Sequence, residues 1–169
     1  MGALQHRNKE VEVFKTIVVG LDGSDGAKHA LPFAIELARR DHAEIVIAHI
    51  EEDILGKGGG PIAANEDEIQ AEIDRQARQL SSEGIEARVE KTSVFLGGPA
   101  PAIMKFADEA DADLIVVGSR GHSALAGVLL GSVAQRLLHL AHQPVLVVPE
   151  NARLSGDGAL TAERASSTA

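Results

Sequence analysis

Four short, nearly unbroken apolar runs punctuate the chain: TIVVGL (16–21), EIVIAHI (44–50), DLIVVG (113–118) and PVLVVP (144–149). Rich in valine and isoleucine, they predict strands buried on both faces, the pattern of a parallel sheet covered by helices. A fifth run differs. In GIEARVEK (84–91), Ile85, Ala87 and Val89 alternate with Glu86, Arg88 and Glu90, which predicts a half-exposed strand near a sheet edge.

Helical spacing fills the gaps. After Ser24, an expected N-cap, Ala27, Ala30, Leu31, Ala34 and Ala38 recur at intervals of three and four, although Pro32 should kink this helix or remove one of its hydrogen bonds. Ile69, Ile73, Ala77 and Leu80 make a second stripe, and Ala102, Ile103, Phe106, Ala107 and Ala110 a third that opens at Pro99. Val133, Leu137, Leu140 and Ala141 make a fourth, with Ser132 as its expected cap. The order βαβαβαβαβ predicts an α/β fold: a five-stranded parallel, doubly wound, Rossmann-like sheet with helices on both faces and right-handed crossovers. Two segments fall outside it. Residues 52–66, with GKGGGP, read as a long Gly-rich connection, and the end of the chain, NARLSGDGALTAERASSTA, is small, polar and aperiodic. The expected organisation is an N-terminal extension (1–12), one domain (13–149) and a flexible C-terminal tail (150–169).

Composition narrows the function. With 169 residues, 44% hydrophobic and 24% charged, the chain suits one soluble domain, and no apolar run approaches the roughly 18 residues of a membrane span. MGALQHRNKEVEVFK contains no uninterrupted apolar segment of the signal-peptide kind, so a cytoplasmic protein is expected. The absence of cysteine excludes disulfides, thiolate zinc sites and thiol catalysis. A net charge of -9 opposes binding to nucleic acid, which needs clustered Lys and Arg. Four Phe without Tyr or Trp leave few stacking platforms, so a purine would rest on aliphatic side chains.

In a doubly wound sheet, ligands bind beyond the carboxyl ends of the strands, where strand order reverses. Two loops carry suitable residues: GLDGSD after the first strand, with Asp22 and Ser24, and GSRGHSALAGVLLGS (118–132) after the fourth. With a strand order 3-2-1-4-5 they would be neighbours, bringing Asp22 and Gly118 over one crevice. Gly118 and Gly121 would let backbone amides approach an anion, and Gly131-Ser132 would hold phosphates at a helix start, as a two-sided clamp. Neither a P-loop nor a dinucleotide fingerprint is present. Without further context, the glycines equally suit a loop that needs positive φ.

The combination G-x2-G-x9-G-[ST], with VGLDGS upstream and PVLVVP as the last strand, resembles the universal stress protein family over roughly residues 13–149, in particular its ATP-binding branch. The resemblance implies the 3-2-1-4-5 order and a homodimer through the last strand, Val145 to Val148. It implies that Gly118, Gly121, Gly131, Ser132 and Val133 bind phosphate and ribose, and that Asp22 lies near the ribose and triphosphate, acting through magnesium. Gly20 and Leu21 would flank the adenine, which the main chain of Ile50 would read. One departure is Ala134, where many relatives carry a hydroxyl. The dimer has a physical motive too, because an apolar edge strand invites pairing.

The expected function is therefore that of an ATP-binding regulator acting through its nucleotide state, with at most slow hydrolysis, since no P-loop lysine or evident water-activating base accompanies the motif. An ATP-consuming enzyme using Asp22 and magnesium, or a binder of AMP or a cyclic adenine nucleotide, remain the alternatives. Lys57 in GKGGG lacks P-loop context, His139 and His142 lack an acidic third ligand nearby in sequence, and Arg120 suits either phosphate or solvent.

Overall fold

The computed structural model describes residues 12–52, 66–94, 97–121, 130–154 and 160–161. Its sheet contains five parallel strands: β1 (Thr16–Gly20), β2 (Glu44–Glu52), β3 (Ala87–Val94), β4 (Leu114–Gly118) and β5 (Val145–Val148), in the order β3-β2-β1-β4-β5. The helices are α1 (Asp25–Asp41), α2 (Glu66–Ser82), α3 (Ala100–Glu109) and α4 (Ser132–Leu140). Expected and observed topology agree, and strand order reverses between β1 and β4.

Alternation along the strands divides the core between two faces. Ile17, Val19, Ile45, Ile47, Leu114 and Val116 pack with α1 and α2, while Val18, Val46, Ala48, Ile115 and Val117 pack with α3 and α4. The inner strands are apolar over Ile17–Val19, Ile45–Ala48 and Leu114–Val117 because both faces are covered there. Edge strand β3 is half-buried at Ala87 and Val89 and exposed at Arg88, as its sequence predicts, but Glu90, expected to be exposed, is half-buried and the alternation shifts phase there. Among the described residues, no helix is long and apolar enough to cross a membrane.

Ser24 is the N-cap of α1 and accepts the amide of Ala27. Pro32 does not interrupt this helix, which runs for 17 residues. Pro32 and Lys28 both face outward, so the Lys28 carbonyl deprived of a partner can bond water. The expected stripe on α4 is corrected: Ala134 and Leu137 are buried, whereas Leu140 is 50% exposed. Its cap is corrected as well. Gly131, in extended conformation, precedes the helix and Ser132 is the first helical residue.

The N-terminal edge of the sheet is fixed by two carboxylates. Asp113 accepts the amides of Lys15 and Thr16, at 2.7 and 3.0 Å, and buried Asp41 accepts those of Val13 and Phe14, at 3.1 and 3.0 Å. The Arg40 guanidinium, then these amides, outweigh the opposing effect of burial and hold the Asp41 carboxyl down at about 2. Beyond β5, the aperiodic segment is not wholly without elements. Two-residue strands β6 (Arg153–Leu154) and β7 (Leu160–Thr161) pair antiparallel, Ala152 and Leu154 pack on the core, and His29 Nε2 lies 2.8 Å from the Ala152 carbonyl.

Candidate functional site

At the carboxyl ends of β1 and β4 two turns meet. After Gly20, the Leu21 amide donates to Ala48 at 3.0 Å, so the chain leaves the sheet alongside β2. The Leu21 side chain is buried in the α1–α2 core, and the turn offers its backbone. Asp22 Oδ1 accepts the amide and hydroxyl of Ser24, at 2.9 and 2.5 Å. Asp22 and Ser24 thus form one hydrogen-bonded turn that opens α1. Gly23, at φ 80°, has a left-handed backbone, and an added Cβ would lie 2.9 Å from Ile69.

The second turn closes on itself. Ser119 donates its amide to Val148 at 2.8 Å, and Gly131 donates its amide to the Ser119 carbonyl at 2.7 Å. The two halves of the glycine motif are therefore side by side, although residues 122–129 between them lie outside the described residues. Gly131 also approaches this segment closely: an added Cβ would lie 3.3 Å from Ser119 O and 3.4 Å from Arg120 Cα.

The reasons for the other glycines differ from those expected. A Cβ at Gly118 would lie 2.5 Å from the carbonyl carbon of Gly26, and closer still to its oxygen. A Cβ at Gly26 would in turn overlap the Arg120 carbonyl. Gly118 is thus required where the first turn of α1 meets β4, backbone against backbone. It is Gly121 that faces Asp22, where an added Cβ would be 2.6 Å from Oδ2. Neither they nor Gly131 has positive φ; among the described glycines, Gly23, Gly84, Gly97 and Gly98 do.

The start of α4 adjoins the turn after β4. Its first helical hydrogen bond runs from Gln135 N–H to Gly131 O, at 2.9 Å, so the amides of Ser132, Val133 and Ala134 precede the helical ladder. No acidic residue occupies that turn, and Ser132 is exposed. Val133 is half-buried and packs on the α3–α4 core, as does buried Ile50 at the top of β2. Arg120 Nη1 lies 3.7 Å from Glu150 Oε2, an ion pair not anticipated from sequence. His139 and His142 are exposed, and no group of three or more possible metal ligands occurs among the described residues. Lys57 falls outside them.

Two residues adjoining this site escaped sequence reasoning. Gly26 carried a signal, a glycine in the first turn of an otherwise alanine-rich helix. His49 carried another, one polar residue in the apolar run EIVIAHI, and it is 1% exposed.

The sequence profile described as "Universal stress protein family" matches residues 14–149. The chain belongs to the universal stress protein family. It is 36% identical over 148 residues to a universal stress protein of Methanocaldococcus jannaschii, covering 84% of this chain and 85% of that one. The crystal structure of a universal stress protein family member from Burkholderia pseudomallei is 30% identical, with a TM-score of 0.65, covering 82% of this chain and 98% of the other. A universal stress protein crystallised in complex with cAMP is 31% identical, with a TM-score of 0.57, covering 80% and 97% respectively. Family membership accounts for the shared fold.

Proposed function

We propose that this universal stress protein binds an adenine nucleotide in the crevice between the β1–α1 turn and the start of α4, with ATP and magnesium as the leading ligand, and that it serves as a stress-response regulator through its nucleotide state. The observation that carries the reading is the opening of α4. Three amides ahead of the helical ladder, without an acidic side chain in that turn, make a place for phosphate beside Gly121 and Asp22. Gly118, Gly121, Gly131, Ser132 and Val133 take the phosphates and ribose. The backbones of Gly20, Leu21 and Ile50 border the adenine.

The residues suit magnesium carried in by the phosphates better than a resident ion. Asp22 is a single carboxylate whose Oδ1 already accepts two hydrogen bonds, so it would act through the ion's water shell. Bound there, magnesium would neutralise phosphate charge. AMP or a cyclic nucleotide is the second reading, favoured by the cAMP complex of a relative 31% identical to this chain. Hydrolysis is at most slow. We further propose that residues 13–149 form the binding unit and that β5 pairs with β5 of a second copy. Support comes from its edge position, half-buried Val145, Leu146 and Val147, and Leu138 and Leu140, 53% and 50% exposed on neighbouring α4.

Isothermal titration of the full chain with magnesium-ATP, AMP and cAMP tests the ligand. Expected is saturable binding of ATP, with a thermal shift equivalent to about 2.7 kcal/mol at a hundredfold excess over Kd. No heat and no shift with any of the three at millimolar concentration would sink the nucleotide reading.

A further inference from the structure

His49 sits on β2 with both ring nitrogens engaged. Nδ1 is 2.8 Å from the carbonyl oxygen of Leu21, in the candidate nucleotide turn, and Nε2 is 2.5 Å from Oε1 of Glu66, the first residue of α2. A carbonyl only accepts, so Nδ1 carries a hydrogen and donates it. In a neutral ring with that tautomer, Nε2 would have only a lone pair to present to a carboxylate, which also only accepts. The short contact therefore needs a second proton, shared between Nε2 and Oε1. Among the described residues, Lys91 Nζ on β3 is 3.7 Å from the same Oε1 and 3.8 Å from Glu51 Oε2, so Lys91 and Glu51 are further charged groups about the pair.

This ring joins parts of the chain that the sheet alone does not join. Leu21 precedes Asp22, whose carboxylate organises Ser24 and thereby the cap of α1. Glu66 begins α2, and Ile69 one turn later packs against Gly23. We propose that His49 is a positioning residue, donating one proton to the Leu21 carbonyl and sharing a second with Glu66, so that the β1–α1 turn and the first turn of α2 are held as one unit. Its effect on ligand affinity rests on the nucleotide-binding reading; the linkage itself does not.

Three variants separate the contacts. His49→Asn keeps a donor for Leu21 but falls short of Glu66. Glu66→Ala removes the acceptor, while Glu66→Gln supplies an amide that can donate to a neutral Nε2 and restore the link without the shared proton. The full-length protein with 15N-labelled histidine should show His49 protonated at both nitrogens, and only at Nδ1 in Glu66→Gln. Amide exchange without nucleotide should quicken at residues 70–73 in Glu66→Ala and His49→Asn, and also at Ser24 and Ala27 across the ring, with wild-type protection in Glu66→Gln. Magnesium-ATP, AMP and cAMP titrations should show affinity about tenfold weaker for Glu66→Ala and near wild type for Glu66→Gln. An unprotonated Nε2 in the wild type would overturn the proposal. So would exchange changes in Glu66→Ala confined to α2, or ligand affinity unchanged in that variant. If the wild type binds none of the nucleotides, the nucleotide reading fails, while ring protonation and exchange at Ser24 and Ala27 still decide the linkage.

Discussion

The glycine motif can be tested by adding one methyl group at a time. In Gly118→Ala, the new Cβ meets the Gly26 carbonyl carbon at 2.5 Å and the Ala27 nitrogen at 3.0 Å, so relief requires β4 and α1 to part. Helix α1 cannot retreat freely, because Ala27, Ala30, Leu31 and Ala34 are buried on the sheet. Overpacking of this kind costs about 1–3 kcal/mol, and a backbone obstacle belongs at the upper end. Against it stands the smaller entropy of the unfolded alanine chain, about 0.4–1 kcal/mol. The balance is a loss of about 2 kcal/mol, or a Tm lowered by about 4–8 °C for a chain of this size.

Gly131→Ala provides the contrast. Its Cβ would lie 3.3 Å from Ser119 O, a separation that a shift of tenths of an ångström relieves, so stability should change by less than about 1 kcal/mol. Gly26→Ala is the sharpest control, because alanine is favoured over glycine inside a helix by about 0.8–1.0 kcal/mol. Loss of stability there would run against propensity and must come from the Arg120 carbonyl. Thermal melts followed by circular dichroism, with urea titrations at 25 °C, measure all three. If Gly118→Ala and Gly26→Ala melt with the wild type, the close approach of α1 to β4 is not what requires these glycines.

Four other outcomes are expected. Ser132→Asp should stabilise α4 by about 0.3–1 kcal/mol, by placing a negative charge at its N-terminus, yet weaken nucleotide binding at least tenfold in the same calorimetric titration. Gly121→Ala should leave the urea midpoint nearly unchanged but weaken magnesium-ATP binding, since among the described residues its Cβ meets the Asp22 side chain, with Oδ2 at 2.6 Å. The folded-state value of about 2 for Asp41, below the ordinary 3.8, makes its contribution full above about pH 4 and progressively lost as pH falls towards 2. Urea titrations from pH 6 to 2 should show about 1–2 kcal/mol of acid sensitivity that Asp41→Asn removes, the figure discounted for solvent around exposed Arg40. Ser24→Ala should cost about 1 kcal/mol as a lost cap, read from the same titrations.

The central strands were legible because a parallel sheet covered on both faces needs uninterrupted apolar runs, and TIVVG and LIVVG can satisfy no other demand so well. Strand order was not legible from periodicity, which describes each element alone; it entered with the family resemblance. At α4, the reading failed for a local reason. Serine is the better cap by preference, but Gly131, whose N–H donates to Ser119 O, is extended and caps the helix, which therefore begins at Ser132, one residue earlier than a serine cap would give. That bond spans a loop, and no local pattern reports it. Leu140 follows the helical stripe yet is exposed because the short α4 ends there, beside the sheet edge.

The positions of the motif glycines were more visible than their causes. Spacing marked Gly118 and Gly121 as places for an approaching anion, whereas Gly118 admits the backbone of Gly26 and Gly121 admits Asp22. These uses are compatible with a ligand and prior to it. A crevice at the reversal of strand order can bind phosphate only if α1 and the β4–α4 loop reach the same place, and a Cβ on either strand end or helix start would hold them apart. The same logic extends to His49. Its polarity breaks the apolar run of β2 where the ring reaches both Leu21 and Glu66, so the departure from the strand pattern marks a connection between turns.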